Sequence, residues 1–153
     1  MSVLELSSPV FENGGSIPEK YGYVKKNVNP PLEITGVPES ADSLVLVMDD
    51  PDAMEPAGKV WDHWVLWNLS PDIKEIKEGE IPDGVTEGTT DYGERGYGGP
   101  NPPDKEHTYR FRLFAVEGKV NLDPSSKKGE LLKEIEGRVV EETGLNGKYK
   151  PVK

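Results

Sequence analysis

The chain has 153 residues, enough for one hydrophobic core and too few for two, so residues 1–153 are expected to form a single domain. It contains no cysteine and carries a formal net charge of −10. Disulfides, thiol catalysis and cysteine-based metal centres are thereby excluded, and the negative charge disfavours both nucleic acid and an anionic bilayer as partners.

The opening stretch MSVLELSSPVFENGG has no basic region followed by an apolar segment. No run approaches the roughly 20 apolar residues of a membrane span, so a soluble, cytoplasmic protein without integral membrane association is expected. The acidic residues of DIKEIKEGEIPDG and GELLKEIEGRVVEE alternate with lysines, the pattern of a solvated surface. Abundant Glu, Lys and Pro resemble the composition of thermophile proteins.

In chain order, short strands are expected at 3–6 and 32–35, long strands at 43–50 (SLVLVMDD), 60–70 (VWDHWVLWNLS) and 107–117 (HTYRFRLFAVE), and a short strand at 149–152. Gly and Pro recur between them at NVNPP, PDAMEPAG, IPDG, RGYGGPNPP and LDPSS, which is turn chemistry for a mainly β framework. One helix is predicted over 126–143. Leu131, Ile135 and Val139 recur there at four-residue spacing, with Ser125 or Ser126 as the cap and Gly144 beyond the end. The Gly- and Pro-rich loop 86–106 is long for a compact domain, which favours a functional role for it.

The chain has only two histidines, each at the end of a strand-like run beside carboxylates, aromatics and rigid turns. Strand alternation puts His107 and Tyr109 on one face with Phe111, Leu113 and Ala115, and puts His63 in line with Trp61, Val65 and Trp67. The three tryptophans 61, 64 and 67 read as core. Asp50 follows Leu46 and Met48 on one face before Pro51 turns the chain and presents Asp52. Buried polar groups without partners cost roughly 1–3 kcal/mol each, so Asp50, Asp52, His63, His107 and Tyr109 are expected to satisfy one another or a ligand. Rimmed by Gly98, Gly99, Pro100, Asn101 and Pro102, they would enclose a small cavity holding an anion on backbone N–H groups and imidazole donors.

Other chemistries fit less well. The histidines stand 44 residues apart, unlike the local ligand pairs of a structural zinc site, and no metal or cofactor is expected. Neither G-x-S-x-G nor GxxxxGK[ST] occurs.

At Asp50-Pro51-Asp52-Ala53, at His63-Trp64 within WDHWVLWNL, and at GYGGPNPP leading into His107-Thr108-Tyr109, the chain closely resembles the phosphatidylethanolamine-binding protein family, which includes the Raf kinase inhibitor proteins. The resemblance is strong over 43–117, with the terminal helix and last strand agreeing in order. It implies a Greek-key type antiparallel β-sandwich with one peripheral C-terminal helix and a pocket for phosphate, phosphoryl headgroups or other small anions. The implied ligand-binding residues are Asp50, Asp52, His63, Gly99, Pro100, Asn101, Pro102, His107 and Tyr109. The family often has Pro where this chain has Met54 and Arg where it has Thr108. Length points to the compact bacterial and archaeal type, for which a homodimer is a reasonable expectation.

The leading expectation is a non-catalytic binding protein in which His63 and His107 donate to a small anionic or phosphorylated ligand. Anion binding should then strengthen as pH falls, and alanine at either histidine should abolish it. The first alternative is a serine protease or kinase inhibitor acting through an exposed loop, 51–59 or 86–101. The second is a hydrolase using the His/Asp pairs on a small phosphate ester or other ester.

Overall fold

The computed structural model describes residues 3–152. Its elements in chain order are β1 (Glu5–Ser7), β2 (Gly15–Ser16), β3 (Leu32–Thr35), β4 (Ser43–Asp50), α1 (Met54–Ala57), β5 (Trp61–Leu69), β6 (Glu75–Ile76), β7 (Thr86–Glu87), β8 (His107–Val116), α2 (Lys128–Glu134) and β9 (Val139–Tyr149). A six-stranded sheet runs β2-β9-β8-β4-β5-β7, and a three-stranded sheet runs β1-β3-β6. Every pairing is antiparallel except that of β2 with β9.

The large sheet is covered on both faces. On one, Leu44, Leu46, Met48, Trp64, Phe111 and Leu113 pack with Leu6, Leu32, Ile34 and Ile76 of the small sheet. On the other, Val45, Val47, Val65, Trp67 and Phe114 pack with Leu131 and Ile135 at helix α2. Central strand β4 is therefore buried along its whole length. Its near-continuous apolar run reflects that two-sided burial. The result is a mainly β sandwich with a helix on its outer layer.

The long strands fall where expected, within a residue at each end for 43–50, 60–70 and 107–117. The predicted helix 126–143 is instead α2, Lys128–Glu134, followed by an eleven-residue strand. Gly137 adopts a left-handed backbone (φ 81°) that ends the helical segment. β-branched Val139 and Val140 then enter β9, which pairs with β8 from Val116↔Val139 to His107↔Tyr149. Val139 is consequently half exposed on a strand rather than part of a helical stripe. Neither serine caps α2; the Glu130 carboxylate accepts from the Lys127 N–H at 3.2 Å, and the buried Ser126 instead offers its carbonyl to Thr89 N–H at 2.9 Å. Of the strand expected at 149–152, only Tyr149 is extended pairing, as the end of β9.

Candidate functional site

The antiparallel order brings the C-terminal end of β4 beside the N-terminal ends of β5 and β8. Asp50 pairs in register with Trp61, and Asp49 with Arg110. One local irregularity shapes the site. Met48 pairs with Trp64 and Asp49 with Asp62, so His63 is an extra residue without a partner on β4. Such a bulge re-aims a side chain. Simple alternation would send His63 with Val65 and Trp67 toward α2; the bulge turns it to the opposite face, where Tyr109 meets it edge-on with ring centroids 5.1 Å apart.

A cavity of about 220 Å³ opens there, lined by Asp50, Ala53, Pro56, Ala57, Trp61, His63, Tyr92, Asn101, Pro102, Pro103, His107 and Tyr109. After Asp50 the chain makes a short 3₁₀ turn, Pro51–Ala53, which Asp50 caps by accepting from Asp52 N–H at 2.9 Å. The turn leads directly into α1, which places Pro56 and Ala57 at the mouth. Segment 51–59 is thus exposed over 54–59, as expected, but helical over 51–57 rather than an extended loop.

Of the nine residues expected at the site, Asp50, His63, Asn101, Pro102, His107 and Tyr109 line the cavity. Three support it from outside. Asp52 is exposed and spends a carboxylate oxygen on Thr108 N–H at 2.8 Å, tying the turn to β8. Gly99 is buried, its N–H donated to Asn27 Oδ1 at 2.7 Å and its carbonyl accepting the Tyr92 hydroxyl at 2.9 Å. The Pro100 carbonyl accepts from Tyr23 N–H at 2.9 Å. Gly98 N–H is likewise committed, to the His63 carbonyl at 2.9 Å. The glycine turn therefore has no free N–H at these positions to cradle an anion; its glycines are there for space. A Cβ on Gly98 would strike the Tyr92 ring, and one on Gly99 the Tyr21 carbonyl.

The two histidines occupy different electrostatic states. His63 is fully buried, and its Nδ1 lies 2.7 Å from the Gly98 carbonyl, which fixes the proton there. Burial pushes its imidazole down to about 4, with the Gly98 and Gly99 backbone only partly opposing. His63 is therefore neutral near pH 7, and Nε2 is an acceptor rather than the donor expected from sequence. His107 is held on both sides, Nδ1 at 2.6 Å from Asp50 Oδ2 and Nε2 at 2.7 Å from Asp104 Oδ1. Burial works against its charge, but these two carboxylates outweigh it and raise the imidazole above its ordinary value. Burial likewise raises the Asp50 carboxyl despite His107.

Two further polar atoms at this site, Tyr109 Oη and Trp61 Nε1, are buried without a well-formed hydrogen bond among the described residues; the polar groups nearest Tyr109 Oη are the Asp50 carboxylate and the Asn101 backbone N–H. Burial, then the neighbouring Asp50 charge, raises the Tyr109 phenol far above its ordinary value, so it stays a donor at any physiological pH. No lysine or arginine lines the cavity among the described residues.

Sequence alone does not place Trp61, Tyr92, Pro103 or Asp104 at the site. Trp61 reads as core, yet only Trp64 and Trp67 are fully buried. Asp104 has a sequence signal, a carboxylate three residues before a histidine. Tyr92 has none; it reaches the cavity because Tyr23 stacks on it, centroids 4.0 Å apart.

The sandwich and its strand-end cavity define a small ligand-binding β protein, and comparison with known proteins agrees. The phosphatidylethanolamine-binding protein family model matches residues 7–150, and the chain belongs to that family, in its bacterial and archaeal type. A UPF0098 protein of Methanothermobacter thermautotrophicus is 41% identical, covering 96% of this chain and 99% of its own. Among solved structures, a phosphatidylethanolamine-binding protein homolog of Chlamydia trachomatis superposes with a TM-score of 0.93 at 32% identity, over 99% of this chain and all of its own. Escherichia coli YbcL gives 0.90 at 25% identity, over 98% and 99%. No helix among the described residues is long and apolar enough to cross a membrane.

Proposed function

We propose that this protein binds, without turning over, a small oxyanion of phosphoryl type, either free or as a headgroup. The observation that carries the reading is the pair of buried donors, Tyr109 O–H and Trp61 N–H, lacking well-formed hydrogen bonds beside a cavity of about 220 Å³. Each unpaired group is a cost of roughly 1–3 kcal/mol that an oxyanion would relieve. His107 adds a third donor when the exposed Asp104 carboxylate gives way. The lining offers no serine, threonine or lysine nucleophile.

Calorimetric titration of inorganic phosphate and phosphoethanolamine at pH 6 and 8 tests this. Binding is expected, stronger at pH 6 where His107 holds its proton. Tyr109→Phe, which keeps the ring and removes the donor, should weaken it on the order of tenfold or more. Absence of heat and of thermal shift at millimolar ligand would overturn the reading.

A further inference from the structure

Beside its donors the cavity presents two acceptors that a fully deprotonated oxyanion cannot use. One is His63 Nε2, left as the lone-pair nitrogen of the ring by the 2.7 Å contact of Nδ1 with the Gly98 carbonyl. The other is Asp50, which lines the same cavity. Its oxygens accept from His107 at 2.6 Å and from Asp52 N–H at 2.9 Å, and each retains a second lone pair. No lysine or arginine is among the lining residues, so His107 is the one cationic group beside Asp50 in the described lining.

We propose that the cavity selects oxyanions carrying an acidic proton of their own, so that inorganic phosphate and phosphomonoesters bind by donating P–O–H to Asp50 or His63 Nε2, whereas sulfate and phosphodiesters are rejected. The inference rests on the oxyanion reading above and names its ligand class. The physical reason is pairing. A phosphoryl monoanion has P–O⁻ oxygens for Tyr109 and Trp61 and a P–O–H for an acceptor, so each polar group at the wall finds its complement. Sulfate near neutral pH is charged but has no proton to give, and it would set its oxygens against the Asp50 carboxylate without a bridging hydrogen. A site built to receive a hydrogen bond discriminates strongly against an analogue that cannot make it. Inorganic phosphate keeps a proton throughout the physiological range, whereas phosphomonoesters lose theirs near pH 6, so binding of monoesters should fade as pH rises above 6 while that of inorganic phosphate persists. A lipid headgroup in diester linkage lacks the proton; a free phosphate or monoester has it.

Titration of the wild-type protein at pH 6 with inorganic phosphate, methyl phosphate, sulfate and dimethyl phosphate separates these sources. The first two are expected to bind, and the last two at least ~100-fold more weakly. Asp50→Asn, which replaces an acceptor oxygen by a donor, should narrow the gap by losing affinity for phosphate and gaining it for sulfate. Sulfate or dimethyl phosphate binding as tightly as phosphate overturns proton selection and leaves the oxyanion site standing. No heat with any of the four overturns both. The wild-type comparison decides the matter even if Asp50→Asn fails to fold.

Discussion

Asp104 Oδ1 stands 2.7 Å from His107 Nε2, occupying the ring nitrogen not already taken by Asp50. The Asp50 side chain is almost fully buried, but that of Asp104 is 35% exposed, so Asp104 is the partner free to move. It stands in for an external anion. Asp104→Asn should lower the His107 pKa, since it removes one of the two carboxylates that raise it, and should strengthen phosphate binding about tenfold by removing a competing charge. NMR titration of the His107 ring and calorimetry check the two halves. Unchanged phosphate affinity would show that Asp104 is not a competitor.

The buried His63 makes stability depend on pH in a defined window. Its folded pKa, about 4, lies below the ordinary 6.5. The unfolded chain therefore takes up the proton first as pH falls, and stability drops between pH 6.5 and 4 and is flat, for this group, outside that range. At about 1.4 kcal/mol per pH unit the loss is roughly 3 kcal/mol. His63→Asn retains a donor for the Gly98 carbonyl and cannot titrate. Urea unfolding of the two proteins at pH 7 and 4 should give a pH-induced loss smaller in the variant by about that amount; equal losses would refute a neutral His63.

Gly99 is surrounded by the backbone of 21–23, and a Cβ there cannot be accommodated by rotating a side chain. Gly99→Ala should cost about 2–3 kcal/mol, the range of an overpacked core, although alanine suits the backbone angles. Thermal denaturation measures it. A variant as stable as wild type would mean that this wall yields.

Behind the cavity, Lys128 of α2 reaches buried Asp49 at 2.9 Å and Asp62 at 2.8 Å, while Arg110 makes two contacts with Asp49 at 2.8 and 3.0 Å. Lys128→Ala leaves Asp62 without its nearest cation and should cost about 3 kcal/mol at pH 7. Adding Asp62→Asn should restore part of that loss by removing the stranded charge. The deficit should also shrink in acid, since burial raises the Asp62 carboxyl despite Lys128 and it protonates early. A double variant weaker than the sum of the two single ones would contradict this account.

The long strands are legible in the sequence because burial writes itself directly into composition. β4 is apolar on both faces, and β8 alternates as a strand with one face on the main core. What escapes a reading of the sequence depends on partners. Strands β2, β6 and β7 are two residues each and exist only through the neighbours they pair with. Val139 continues a helical spacing beyond Gly137, and local periodicity cannot show that β8 is waiting to pair with that segment. His63 stands out as a site residue, but alternation assigns it to the wrong face, because a period of two cannot show a bulge. Its protonation is also the reverse of the expected one. Proximity to carboxylates in the sequence suggests an imidazolium, but His63 is deeply buried and bonded to a neutral carbonyl, while His107 has the carboxylates.

Asp49 and Asp50 are consecutive on β4 and point to opposite sides of the sheet, the first locked to α2 and Arg110, the second forming the cavity wall. Turning Asp50 by rotating the strand would pull Asp49 from its cations, so apart from the movable Asp104 carboxylate this wall is held in place. Recognition is therefore that of a mould already set before the ligand arrives. Binding should order little of the chain, and affinity should follow the shape and hydrogen-bonding pattern of the guest, with little recovered by adjustment of the host.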